Sequence, residues 1–294
     1  MKRPNIVLFL AEDLDFECVN CFNQYATSYS GLNEAGNPYA REHFAPNRGL
    51  LTPHTDCLAG DGVLFDNYYC ASPVCTPARY TVMTGRFPER SREFCELNEG
   101  KPATVWFNTP VTPGETLLPR VLHEDGYRTG MFGKWHNFPR EIGREIHAKY
   151  HSFPQDIPWE DERAQKGVRE GYQTAVNYLK KPEFGWDVVD RLYHDNPEPY
   201  LPECLSSQNI DWVVEGAVNY IQDQKEREDP FFAYVAVSLP HSRYNGKRFL
   251  EANPLSSPAG LLEEPPHVMS DRQTIYRRVK AAGLPDSACE GLWL

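Results

Sequence analysis

Residues 6–11 form an unbroken apolar run, and three carboxylates then arrive within four positions, Glu12, Asp13 and Asp15. A continuous apolar run this short predicts a strand buried on both faces. Residues 128–133, following a helix signal, and the apolar run 231–237 predict two more strands, and the apolar and aromatic stretch 63–69 predicts a fourth. Between them lie helix signals. Thr52-Pro53 opens a short helix ending near Gly60 or Gly62, and Pro77 suits the first turn of another that runs to Met83 and stops at Gly85. Residues 116–122 read as an amphipathic helix with Thr116 as its cap, ended by Gly126-Tyr127. The clearest helix follows Ser206-Ser207, where Ile210, Val213, Val214, Ala217, Val218 and Ile221 share one face. Strands alternating with helices in this rhythm predict an α/β fold with a mostly parallel sheet flanked by helices.

The polar residues that end the runs repeat a theme. Asp13 follows the first strand, Cys75 lies just past the 63–69 stretch, Lys134 and His136 follow the 128–133 strand, and His241 follows the last. In open parallel sheets ligands bind beyond the carboxyl ends of strands, so four such placements predict the rim of an active site. Two stretches lack periodicity. Residues 25–51 are polar and rich in Gly and Asn, a long loop or insertion, and 138–205 mixes aromatic, charged and proline residues as a loop-rich insertion on the substrate side.

Composition narrows the function classes. The chain has 294 residues with 41 Asp+Glu against 30 Lys+Arg, a net charge of -11, which argues against a nucleic-acid partner but leaves a locally cationic cleft possible. No apolar run approaches the roughly 18 residues of a membrane span, so no membrane partner is expected. The short N-terminal run lacks a cleavage site, which predicts a cytoplasmic chain as given, or a secreted or periplasmic one if the N-terminus is incomplete. Eight cysteines are too sparse for a disulfide scaffold, and Cys18-x-x-Cys21 has no second pair at zinc spacing, so it reads as coincidence. The 25 prolines are crowded after Pro182, which predicts a loop-rich later part of the chain.

Cys75-Thr76-Pro77-Ala78-Arg79 followed by Thr84-Gly85-Arg86 resembles the signature of the sulfatases, enzymes of the alkaline-phosphatase-like superfamily. The surroundings resemble the same family in order: Asn5 through Leu14, Gly126 through His136, and Pro230 through His241, with the likeness extending over residues 5–277. The resemblance implies hydrolysis of sulfate esters in which a dedicated formylglycine-generating enzyme converts Cys75 to formylglycine, the hydrated aldehyde then acting as nucleophile. It implies one divalent cation, Ca²⁺, held by Glu12, Asp13 and modified Cys75. Glu12 stands where the family more often has aspartate. Arg79 would hold the aldehyde hydrate, Lys134 would clamp the sulfate, His136 would assist turnover of the nucleophile, and His241 would contact sulfate or protonate the leaving oxygen. The implied substrate is a sulfated small molecule or carbohydrate.

The family also carries a later strand ending in an Asp-Asn or Asp-His pair and, beyond it, a sulfate-binding lysine; nothing after His241 matches them. Residues 1–279 therefore read as the N-terminal portion of a sulfatase catalytic domain with the C-terminal part of the fold missing, and 280–294 as a divergent tail. Two alternatives follow: a phosphate or phosphonate monoester hydrolase of the same superfamily, and a catalytically inactive truncated product.

Overall fold

A computed structural model of the chain describes residues 3–14, 19–22, 52–97, 99, 109–197, 201–238, 241 and 253–267. The Cys18 pairing, the 25–51 insertion, Asp15 and the 280–294 tail lie outside the described residues. The chain divides into two compact units: residues 1–12, 70–238 and 243–269 form the first, and residues 13–69, 239–242 and 270–294 form the second.

The first unit is built on a four-stranded sheet of β1 (Ile6–Ala11), β2 (Arg128–Lys134), β3 (Val188–Tyr193) and β4 (Phe231–Val237), in the order β1-β4-β2-β3. All three pairings are parallel, with Tyr234 of β4 registered against both Leu8 and Met131. The mostly parallel α/β architecture expected from the sequence is therefore present. Every residue of β4 is buried, as a central parallel strand requires, whereas Val7 and Phe9 on the edge strand β1 are half exposed.

Helices cover the sheet. Numbered along the whole chain, α1 is Pro53–Asp61 in the second unit, and α2 (Cys75–Thr84), α3 (Arg92–Leu97), α4 (Leu118–Glu124), α5 (Arg140–Tyr150), α6 (Glu162–Leu179) and α7 (Ile210–Gln224) belong to the first. Alternate β4 residues serve opposite faces. Phe232 and Tyr234 stack on Trp186, while Phe231 meets Tyr220 of α7 edge to face. Asn209 caps α7 by accepting from the Trp212 amide at 3.1 Å, and Gly85, at φ 65°, closes α2 in the left-handed conformation.

Three expectations need correction. Residues 63–69 form no strand. Asp66-Asn67 is a turn, and Val63, Phe65, Tyr68 and Tyr69 around it are exposed rather than buried, so Cys75 is not delivered by a strand. The helix expected from Thr116 begins at Leu118, with Leu117 as its extended N-cap residue and Pro119 in its first turn. The 138–205 region is not loop-rich, because it holds α5, α6 and the strand β3. Near its middle β3 bulges. Phe132 pairs with Asp190 but Gly133 with Leu192, and the extra residue, Arg191, sits at φ 52°.

Among the described residues no helix is long and apolar enough to cross a membrane.

Candidate active site

Glu12 follows the last residue of β1, and Lys134 is the last residue of β2, one strand removed across β4. Their side chains meet in a dry site. Lys134 Nζ lies 2.6 and 2.8 Å from the two Glu12 carboxylate oxygens and donates also to Asn196 Oδ1 at 2.7 Å. Both residues are buried, at 0% exposure for Lys134 and 5% for Glu12. Arg79, from the second turn of α2, donates to the Lys134 carbonyl at 2.6 Å and sets Nη2 3.7 Å from Glu12.

The electrostatics follow from that packing. Burial alone would raise the Glu12 carboxyl, but Arg79, Lys134 and a hydrogen bond from Cys75 outweigh it and hold the group at about 2. Burial pulls the Lys134 ammonium below its usual range, with Glu12 opposing. Glu12 is thus an ionised carboxylate between two cations, a low-dielectric arrangement in which each charge depends strongly on the others.

Cys75 is the first residue of α2, where helix amides and the positive helix end favour anionic character. Asn137 fixes this terminus. Its Nδ2 donates to the Thr76 carbonyl at 2.8 Å and to the Thr109 carbonyl at 2.6 Å, tying the first turn of α2 to the segment after β2. Tyr80 Oη, one turn further on, donates to Glu115 at 2.6 Å.

His136 is placed by backbone geometry. The parallel ladder runs past the strand ends, with the Trp135 amide donating to the Tyr193 carbonyl and that of His136 to the His194 carbonyl. Gly133, at φ 89°, must be glycine because a β-carbon there would strike the Ala236 carbonyl oxygen. His136 itself adopts φ 63°, an uncommon conformation for a non-glycine residue. Its Nε2 lies 2.8 Å from Asp195 Oδ1. Burial lowers the His136 imidazole, opposed by Asp195, while Asp195 stays ionised at about 2 because the neighbouring His136, His194 and Lys134 outweigh its burial. Two buried polar atoms here, Arg79 Nη2 and His136 Nδ1, have no hydrogen-bond partner among the described residues.

Of the residues singled out from the sequence, Glu12, Cys75, Arg79, Lys134 and His136 converge within the first unit. Asp13 and His241 belong to the second unit, where His241 Nε2 lies 3.6 Å from Asp13 Oδ2. Asn137, Asp195 and Asn196 went unnoticed in the sequence. The last two follow β3, and a strand recognised there would have drawn attention to them by the same strand-end logic. The donor atoms of Glu12, Cys75 and His136 lie within 4.8 Å of one another. A carboxylate, a sulfur and an imidazole fit a divalent cation as a class, and oxygen in place of the sulfur would bring the set nearer to what calcium takes.

A family model described as Sulfatase matches residues 4–277. The N-acetylgalactosamine-6-sulfatase of Rattus norvegicus is 28% identical over 255 residues, covering 85% of this chain and 42% of that protein. The ulvan-active sulfatase of Formosa agariphila is 27% identical over 199 residues, covering 67% and 32%. The chain thus spans less than half the length of these curated relatives. A solved structure from work on glycosaminoglycan metabolism in Bacteroides thetaiotaomicron is similar in fold, with a TM-score of 0.50 at 19% identity over 99% of this chain and 57% of its own.

Proposed function

The chain belongs to the sulfatase family, and from that premise we propose that it serves hydrolysis of sulfate esters, with Cys75 as the site of the nucleophile and a sulfated carbohydrate as the substrate class. The observation that carries this reading is the convergence of Lys134, Arg79 and His136 on Glu12 and Cys75, with Arg79 Nη2 and His136 Nδ1 buried and unbonded among the described residues. Arg79 Nη2, a buried donor without a hydrogen-bond partner among the described residues, costs about 1–3 kcal/mol, a cost that an anionic oxygen of a bound ester would offset. The names of the relatives, which act on N-acetylgalactosamine 6-sulfate and on ulvan, support a sulfated saccharide.

The proposed roles follow from position. Cys75 is the residue that a formylglycine-generating enzyme would convert, and the hydrated aldehyde supplies a hydroxyl nucleophile at the helix terminus. Arg79 is rigidly held by the Lys134 carbonyl, so it can orient that hydroxyl and one ester oxygen without reorganising. Lys134 carries the ammonium that would hold sulfate. To reach an ester oxygen it must share its protons between the ligand and Glu12, which already takes two contacts. His136, kept in place by Asp195, is poised to move a proton at the nucleophile, because its lowered affinity favours the neutral, accepting form. Glu12 and modified Cys75 are the proposed ligands within the first unit for a divalent cation, Ca²⁺, which when bound would polarise the sulfate oxygens.

The test is the mass of the Cys75 peptide after coexpression with a formylglycine-generating enzyme, alongside turnover of an aryl sulfate and an aryl phosphate. Formylglycine at position 75 with preference for the sulfate ester is expected. An unaltered thiol after coexpression, or preference for the phosphate, sinks the reading.

A further inference from the structure

Beside His136 the first unit contains a cleft of about 390 Å³, within the roughly 300–1,000 Å³ typical of small-molecule sites. One wall is a single face of α5, where Arg140, Gly143, Arg144 and His147 recur at the i, i+3, i+4, i+7 spacing of helical neighbours. His136, His194 and Asp195 line it as well, so the cleft opens directly off the candidate active site. Gly143 has nothing within 4 Å of where a β-carbon would stand, which leaves the floor between the two arginines open.

The charges in this cleft are unequally committed. Both of its carboxylates are engaged: Asp195 with His136 Nε2 at 2.8 Å, and Glu93, whose Oε1 accepts from the Arg140 backbone amide at 3.1 Å. Neither the Arg140 nor the Arg144 guanidinium forms an ion pair among the described residues, and both side chains are exposed. Like charges four residues apart on a helix repel each other, so the pair gains nothing for the isolated helix. Guanidinium forks match the planar or tetrahedral oxygens of carboxylates and sulfates, and an anion between them removes the repulsion.

We propose that this cleft is a second anion subsite, in which Arg140 and Arg144 hold a carboxylate or a second sulfate of the same saccharide whose reacting ester lies at Lys134, Arg79 and His136. The proposal rests on the sulfated-carbohydrate reading and narrows it to substrates carrying two anionic groups.

Binding measured by titration calorimetry, without turnover, tests it. The probes are N-acetylgalactosamine 6-sulfate, its 4,6-disulfate, and a disaccharide joining the 6-sulfated sugar to a uronic acid. The wild-type chain should bind at least one two-anion probe tenfold or more tightly than the monosulfate, and the probe that gains identifies the group as sulfate or carboxylate. In the Arg140→Gln/Arg144→Gln variant that advantage should fall below twofold, with the monosulfate affinity unchanged. Equal wild-type affinity for all three probes, or an advantage that survives the double substitution, overturns the subsite alone. Failure of every probe to bind overturns the saccharide reading together with the subsite. If Cys75 remains a thiol after coexpression while the two-anion advantage still disappears in the variant, the subsite stands and the catalytic reading falls.

Discussion

The buried knot of Glu12, Lys134, Arg79 and Asn196 and the neighbouring cleft along α5 handle charge in opposite ways. In the knot each ionised group has partners within hydrogen-bond or ion-pair distance and almost no solvent, so the members hold one another in place. Along α5 two guanidinium groups stand in water and make no ion pair among the described residues. Desolvation explains why the two differ in what they can tolerate. Removing one charge from a dry group strands the others, whereas removing an exposed arginine leaves only water behind. The knot is thus suited to fixing reactive groups in one geometry, and the cleft to discriminating among ligands at small cost to the fold.

The strongest way to break this contrast is Lys134→Met. It leaves Glu12 buried with Arg79 as its remaining cation at 3.7 Å, and the expected loss is about 3–5 kcal/mol in urea unfolding. Adding Glu12→Gln should recover much of that loss, because the stranded carboxylate goes with its partner. A loss under about 1 kcal/mol for the single variant would mean that water reaches Glu12 and that the knot is no drier than the cleft.

Asp195 lines the cleft and holds His136 beside the knot. Asp195→Ala removes the partner of a buried imidazole nitrogen, and a loss of about 1.5–3 kcal/mol is expected. The same measurement on Arg144→Gln should show a change within about 0.5 kcal/mol, as befits an exposed side chain. Comparable losses for the two variants would erase the distinction between knot and cleft.

These two regions were also unequally legible in the sequence. The charged members of the knot come from β1, β2 and α2, whose strand patterning and Pro77/Gly85 punctuation are strong local signals, and the family motif carries Cys75 and Arg79. The cleft comes from α5 and the end of β3, where those signals fail for identifiable reasons. Asp190-Arg191 interrupts the apolar pattern of β3 because a bulge turns Arg191 toward α7, where it lies over Trp212 and against Gly216. α6 buries Gly167 and Gly171 against Phe153 and Tyr150, so residues that usually signal loops here permit close helix packing. In the second unit the error ran the other way. Aromatic content in residues 63–69 suggested a strand, but the Asp66-Asn67 turn divides it before any pairing forms.

A small effect at neutral pH, and the most selective one in acid, is expected at His194 in the cleft wall. Its ring stacks on Tyr150 with centroids 5.0 Å apart, and burial lowers it from the usual 6.5 to about 3, with Asp195 opposing. A histidine held neutral in the fold binds fewer protons there than in the unfolded chain at every pH between those two values. Its contribution is therefore fully present above about 6.5 and is lost progressively as the pH falls toward 3. His194→Phe keeps the stack and removes the titration, so urea unfolding at pH 7 should differ by less than about 1 kcal/mol. Between pH 6 and 4 the variant should lose stability less steeply than wild type. Parallel decline of the two proteins would show that His194 is hydrated as the cleft arginines are, and would move the dry boundary inward to the Glu12–Lys134 pair.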